Sequence, residues 1–241
     1  MTARQPSLPW LRAAATPALC GAAYALGGAH GPWPIAAALL LGALFYGAAA
    51  AKRGAAAACF IAAGAMVFVM ALGVIPGFAR LPLGPVSVNT GKALAGLGAA
   101  LMWPSPFRWN GRCTAIALVT LIAVPLVAWA IGFVHWSPAA PHKLALFAAA
   151  NLFTVIAEEW FFRRWLQQPL AARVGGVPAL LISAALFGLA HFSGGHAFMA
   201  LAALAGVGYG AVYWASGSIW AAIALHWALN LLRAALFGLP V

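Results

Sequence analysis

The chain has two acidic residues among 241, Glu158 and Glu159, and no aspartate. They are neighbours in an apolar stretch, Ala157-Glu158-Glu159-Trp160-Phe161-Phe162-Arg163. Ionisable groups inside apolar spans are costly to keep and by default point to function. Adjacent helical residues face about 100° apart, so the two carboxylates meet different surroundings. Glu159 stands four residues before Arg163, acid first, the favourable order for an ion pair along a helix. Glu158 has Phe162 at that spacing, so its partners must come from other helices. The aromatic run makes a dry surround, which suits a carboxylate that is to accept a proton.

Phe187 and His191 are four apart, as are His226 and Asn230, so each pair shares one helical face. Three helices thus offer polar groups at one level: a carboxylate, two imidazoles and an amide. That set suits hydrolysis, with a base to take a proton from water and donors to hold an oxyanion. Each group also has a structural reading. A histidine in a membrane helix commonly bonds a backbone carbonyl, Arg163 with Arg164 resembles a positive anchor, and Asn230 alone would bridge two helices. Asn151, seven residues before Glu158 and on nearly the same face, reads as a helix-bridging amide. Arg233 is one more ionisable group within a span. His30, His135, His142 and His196 adjoin Gly, Pro or Ser in loops and read as solvated.

Membrane helices must hold these groups in place. The chain is 65% apolar and 6% charged, where a soluble domain has about a quarter charged residues. Its mean hydropathy is +0.97. A soluble globule could not cover that much apolar surface, so the composition indicates an all-α, polytopic membrane bundle. It excludes disorder, collagen and a disulfide-framed secreted module. Thirteen Lys and Arg give a net charge of +11. They lie at the ends of apolar runs, a pattern that orients helices against anionic lipid, so the partner is the bilayer and nucleic acid is excluded. Cys20, Cys59 and Cys113 form no CxxC or Cys/His cluster and read as small apolar side chains.

Apolar runs long enough to be spans, about 20 residues, fall near 13–29, 33–51, 54–79, 93–107, 114–134, 144–162, 177–192, 197–215 and 218–237. Eight or nine spans enclosing a polar cavity are expected, in a single membrane domain over 1–241. Arg4 and Arg12 precede the run Ala13 to Leu26, but prolines 6, 9 and 17 and glycines 21, 27 and 28 interrupt or flank it. It reads as a first membrane helix in preference to a cleaved leader. Gly206 and Gly210 form a small-xxx-small step and read as generic helix packing.

If all nine runs cross from a cytoplasmic N-terminus, Arg4, Arg12, Lys52, Arg53, Arg108, Arg112, Arg163, Arg164 and Arg173 lie inside. Arg80, Lys92 and Lys143 lie outside, and this excess supports that orientation. One depth does not fit. Glu158 would lie about 6 Å from the inner end of its helix and His191 about 21 Å from the inner end of the next. One repair is that the 144–162 helix continues through Arg164 to about Leu170, burying Arg163 against Glu159.

In order, Glu158-Glu159-x-x-x-Arg163, Phe187-x-x-x-His191 and His226-x-x-x-Asn230 resemble the three motifs of the CPBP family, the CAAX-protease and bacteriocin-processing (Abi) intramembrane proteases. The resemblance covers roughly 140–237, the expected catalytic core region. It implies a helical bundle around a cavity and an endopeptidase that hydrolyses a peptide bond with glutamate-activated water and no metal cofactor. It implies Glu158 as general base, His191 positioning the water, and His226 and Asn230 stabilising the oxyanion. Glu159 and Arg163 would support the site. The chain has Arg164 where family members often have Gly, and it shows no prenyl-recognition motif. The implied partner is a membrane-associated or C-terminally tagged peptide or protein in a bacterial inner (plasma) membrane. Two other readings are a zinc-dependent hydrolase using Glu158, His191 and His226, and a non-catalytic immunity or transport protein.

Overall fold

The computed structural model describes residues 8–239. Arg4 and Pro6 lie outside the described residues. The chain forms two compact units, one of residues up to 82 with 87–104, the other of 83–86 with 105 onward.

The first unit comprises α1 (Pro9–Ala13), α2 (Ala15–Ala25), α3 (Trp33–Ala50), α4 (Arg53–Leu72) and α5 (Thr90–Met102). A two-stranded sheet, β1 (Arg80–Leu83) with β2 (Val86–Asn89), intervenes between α4 and α5 and was not foreseen. The expected run 54–79 stops early because Gly73 takes φ +71°, a left-handed cap that ends α4 at Leu72. Asn89 caps α5 by accepting from the Lys92 amide at 3.0 Å.

The second unit holds α6 (Gly111–Ala130), α7 (Pro141–Glu159), a π-helical segment (Trp160–Gln167), α8 (Gln168–Val174), α9 (Gly176–Leu189), α10 (Gly195–Ser216) and α11 (Ile219–Phe237). Asn110 caps α6, Pro141 starts α7, and Gly217 in the left-handed region ends α10. At one end of this unit, Asn110 Nδ2 donates to the Ala215 carbonyl and Ser218 Oγ to that of Pro106. At the other end, the Ser137 amide donates to Leu236 O and Phe133 stacks on Phe198. These are called here the Arg112 end and the His191 end.

Lipid tails are as apolar as leucine, so close approach of small residues holds such helices together. A Cβ on Gly206 would lie 3.3 Å from Ala184 Cα, so α9 and α10 pack nearly backbone to backbone there. Large side chains face outward instead: on α6, Val119 is 67% exposed and Ile122 63%.

Among the described residues, six helices are long and apolar enough to cross a bilayer: Trp33–Ala50, Arg53–Leu72, Gly111–Ala130, Pro141–Val174, Phe192–Ser216 and Ile219–Phe237. The bundle is all-α, and of the expected eight or nine spans these six helices are supported. The remaining three runs are helices too, but α2, α5 and α9 have only 11, 13 and 14 residues. Gly27 (φ +73°) follows α2, and Gly175 (φ +87°) delays the start of α9.

Candidate active site

The 34-residue helix Pro141–Val174 sets the geometry. It continues past Arg164, which removes the depth conflict. Glu158 is 16 residues, about 24 Å, before its end, and His191 is 15 residues, about 22 Å, past the start of α9. The two residues therefore lie at matching depth.

Immediately after Glu159 the helix widens into the π-helical turn. Such turns displace backbone carbonyls from the regular ladder and recur at functional sites. Ser183 Oγ on α9 donates to the Phe162 carbonyl at 2.8 Å and accepts from Arg163 Nη1 at 3.0 Å. Arg163 Nε donates to Glu159 Oε2 at 2.8 Å, with both side chains fully buried. Arg163 also approaches Gln167 Oε1 (3.4 Å), and Gln167 Nε2 donates to the Gly210 carbonyl at 3.0 Å. A Cβ on Gly210 would lie 2.8 Å from Gln167 Oε1, so this glycine admits a polar side chain to the α10 backbone. Arg163 Nη2 is buried with no hydrogen-bond partner among the described residues. Its guanidinium carbon instead lies over the rings of Phe187 (5.6 Å) and Tyr209 (6.0 Å), an arrangement that stabilises a desolvated cation.

Glu159 has a second partner. Its Oε1 lies 2.8 Å from His226 Nδ1, across 67 positions of sequence. A carboxylate only accepts, so Nδ1 bears the proton and Nε2 turns toward Glu158, 3.8 Å from its Oε2. Tyr209 stacks on the imidazole with centroids 4.3 Å apart, and Phe187 meets it edge-on at 5.6 Å. The ring is thus fixed by a hydrogen bond and two aromatic faces.

A cavity of about 420 Å³ opens among α6, α7, α9, α10 and α11. Glu158, His191, His226 and Asn230 all line it, and Asn151, Thr154, Tyr209 and Arg233 join them. Asn230 Nδ2 donates to Asn151 Oδ1 at 3.1 Å, so Asn151 bridges helices as expected and also faces the cavity. The Phe187 carbonyl accepts from His191 Nδ1 at 2.8 Å, which leaves the Nε2 lone pair available. This is the backbone bond anticipated for a membrane histidine, yet the residue still lines the cavity. The pairs Phe187/His191 and His226/Asn230 meet as their spacing indicated.

Among the described residues, no three His, Cys, Asp or Glu side chains form a group that would hold a metal ion. Both cavity histidines have Nδ1 engaged, His191 by a backbone carbonyl and His226 by Glu159. Sequence reasoning missed Tyr209, Ser183 and Gln167. Tyr209 had one cue, its position between Gly208 and Gly210 in an otherwise apolar helix. Ser183 and Gln167 gave none, because their partners lie on other helices.

Residues 140–232 match the family described as type II CAAX prenyl endopeptidase Rce1-like. No curated protein and no solved structure matches the chain. The matched segment contains all three motifs, and this match is consistent with the CPBP and CAAX-protease family that those motifs resemble.

Proposed function

We propose that the chain is an intramembrane endopeptidase that hydrolyses a peptide bond of a membrane-associated or C-terminally tagged substrate with water activated by Glu158. The observation that supports this most is the arrangement of His226, with Nδ1 on Glu159 and Nε2 facing Glu158 at the wall of a cavity that His191 and Asn230 share. Water in that cavity gives a proton to Glu158 and attacks the scissile carbonyl. His191 Nε2 accepts from the same water and orients it. The oxyanion accepts from the Asn230 amide and, when both ring nitrogens carry protons, from His226 Nε2–H. Glu158 then passes its proton to the departing amine. Glu159 acts through His226, and Arg163 holds Glu159. No step needs a metal.

Orientation follows from charge. At the Arg112 end of the second unit stand Arg108, Arg112, Arg164 and Arg173, and toward the His191 end Lys143 and Arg233. The positive-inside rule puts the Arg112 end in the cytoplasm. The cavity lining includes Phe133, Gly194 and Phe237, so the cavity reaches the His191 end, which on this orientation faces away from the cytoplasm and would hold its mouth. Arg12, Lys52 and Arg53 at helix ends favour a cytoplasmic N-terminus in a bacterial plasma membrane. A cysteine replacing Trp136 should then react with an impermeant thiol reagent in intact cells, and one replacing Arg173 should not. The opposite labelling would reverse the orientation.

Comparative peptidomics of cells with wild-type protein and with Glu158→Ala tests the activity. Peptides that disappear in the variant identify substrate and cleaved bond. Identical peptidomes would remove the proposal.

A further inference from the structure

The proposed hydrolysis uses both carboxylates, the two cavity histidines and Asn230, and leaves one charged residue of the cavity wall without a part. Arg233 is half-buried and lines the cavity with Phe133, Phe198 and Phe237. It follows Asn230 by three residues and His226 by seven, so all three share one face of α11. The guanidinium is thereby rooted about 10 Å beyond His226 along the helix, toward the mouth. Arg233 lies just past the matched segment 140–232.

A cation in this position has a cost, and its local role is small. Arg233 Nη1 donates to the Gly238 carbonyl at 3.3 Å, capping the end of α11. That occupies one of five N–H donors. The only acidic side chains in the chain are Glu158 and Glu159, and among the described residues their ion pairs involve Arg163 and His226. Arg233 therefore has no carboxylate partner among the described residues. A guanidinium takes a carboxylate through two parallel hydrogen bonds, and more strongly in an apolar wall than in water. The cavity is also polarised, with Glu158 at depth and Arg233 toward the mouth. A peptide bearing a carboxylate would be repelled from the first and drawn to the second, which fixes its direction in the cavity.

We propose that Arg233 forms a carboxylate-binding subsite that anchors the substrate peptide, through its C-terminal carboxylate or an acidic side chain, and so determines where the chain is cut. This rests on the protease reading above. The test uses the full-length protein in lipid nanodiscs with a pool of defined apolar peptides. Each peptide is made as free acid, as C-terminal amide, and as amide with one internal glutamate. Wild-type protein should cut carboxylate-bearing peptides with kcat/KM roughly 10- to 100-fold above the plain amides, mostly through KM. Preference for the free acid over the internal glutamate identifies the chain terminus as the anchor, and the reverse identifies a side chain. Arg233→Gln should abolish the preference, so that acid and amide peptides are cut with equal kcat/KM, and Arg233→Lys should restore part of it.

Equilibrium dialysis of the same peptides against the Glu158→Gln variant separates the two readings. Carboxylate-dependent binding in a protein whose wild type cuts nothing sinks the protease reading and keeps the anchor. Cleavage with equal rates on acid and amide, or a preference that survives Arg233→Gln, sinks the anchor and keeps the protease. Neither cleavage nor preferential binding removes both.

Discussion

In the first unit, polar side chains serve turns and helix ends. Asn89 caps α5, and Thr90 Oγ1 lies 2.6 and 2.7 Å from the Gly28 and Ala79 carbonyls beside the hairpin. In the second unit Asn110 and Ser218 serve helix ends too, but further polar groups meet between helices at mid-bundle: Glu159 with Arg163 and His226, Arg163 with Ser183, Gln167 with Gly210, Asn230 with Asn151. Both units are apolar helices suited to lipid, so burial alone does not account for the difference. A turn needs its polar groups to end a helix. A buried charge network at mid-helix has no such duty, and removing all of it would leave the α-helical ladder intact. Among the described residues, the buried charge network lies in the unit whose helices line the cavity.

Substitutions can break this contrast, beginning with the largest effect. Arg163→Met leaves Glu159 without its cation and Glu159→Gln leaves Arg163 without its anion, and each should destabilise the protein by about 3–5 kcal/mol. Thermal melts in detergent would show it, and unchanged melting would mean the network is dispensable. Ser183→Ala abandons the Phe162 carbonyl and one Arg163 donor bond, and should cost about 1–3 kcal/mol. Gly188→Ala comes next. Its Cβ would meet the Met199 carbonyl at 2.6 Å and Ala203 Cβ at 2.7 Å. Overpacking of this kind costs about 1–3 kcal/mol and pushes on the helix that ends two residues before His191, so turnover should fall along with stability. Asn151→Ala should cost about 1 kcal/mol or less, as membrane inter-helix hydrogen bonds do. In the first unit, Thr90→Val should lower the melting point slightly and leave kcat alone. A loss of kcat there would tie that unit to the chemistry and end the contrast.

The legible parts of the site were local. Glu159 and Arg163, Phe187 and His191, and His226 and Asn230 each stand one helical turn apart, so spacing alone gave their shared faces. The bond from His226 to Glu159 joins residues 67 positions apart and leaves no mark on periodicity. This is why Glu159 read as a partner of Arg163 alone. The π-helical turn Trp160–Gln167 defeats periodicity in another way, since its wider turn shifts every later side chain off the 3.6-residue count. The depth conflict was the one trace of it in the sequence, and the long helix Pro141–Val174 resolves that conflict. Composition alone cannot place a glycine turn, so it supports the span count only where the helices are long. Runs near 13–29, 93–107 and 177–192 are apolar enough but yield helices of 11, 13 and 14 residues. The shortness of α9 has a use, because its end places His191 at the cavity wall.

The two neighbouring acids give the most direct test, since the account assigns chemistry to one and structure to the other. Glu158→Gln and Glu159→Gln should be purified in lipid and compared with wild type for melting temperature and peptide turnover together. Glu158→Gln should melt like wild type and lose about 10²- to 10⁴-fold in kcat, the range for removing a general base. Glu159→Gln should lose stability first. Turnover by Glu158→Gln at the wild-type rate would contradict the account, whatever Glu159 does.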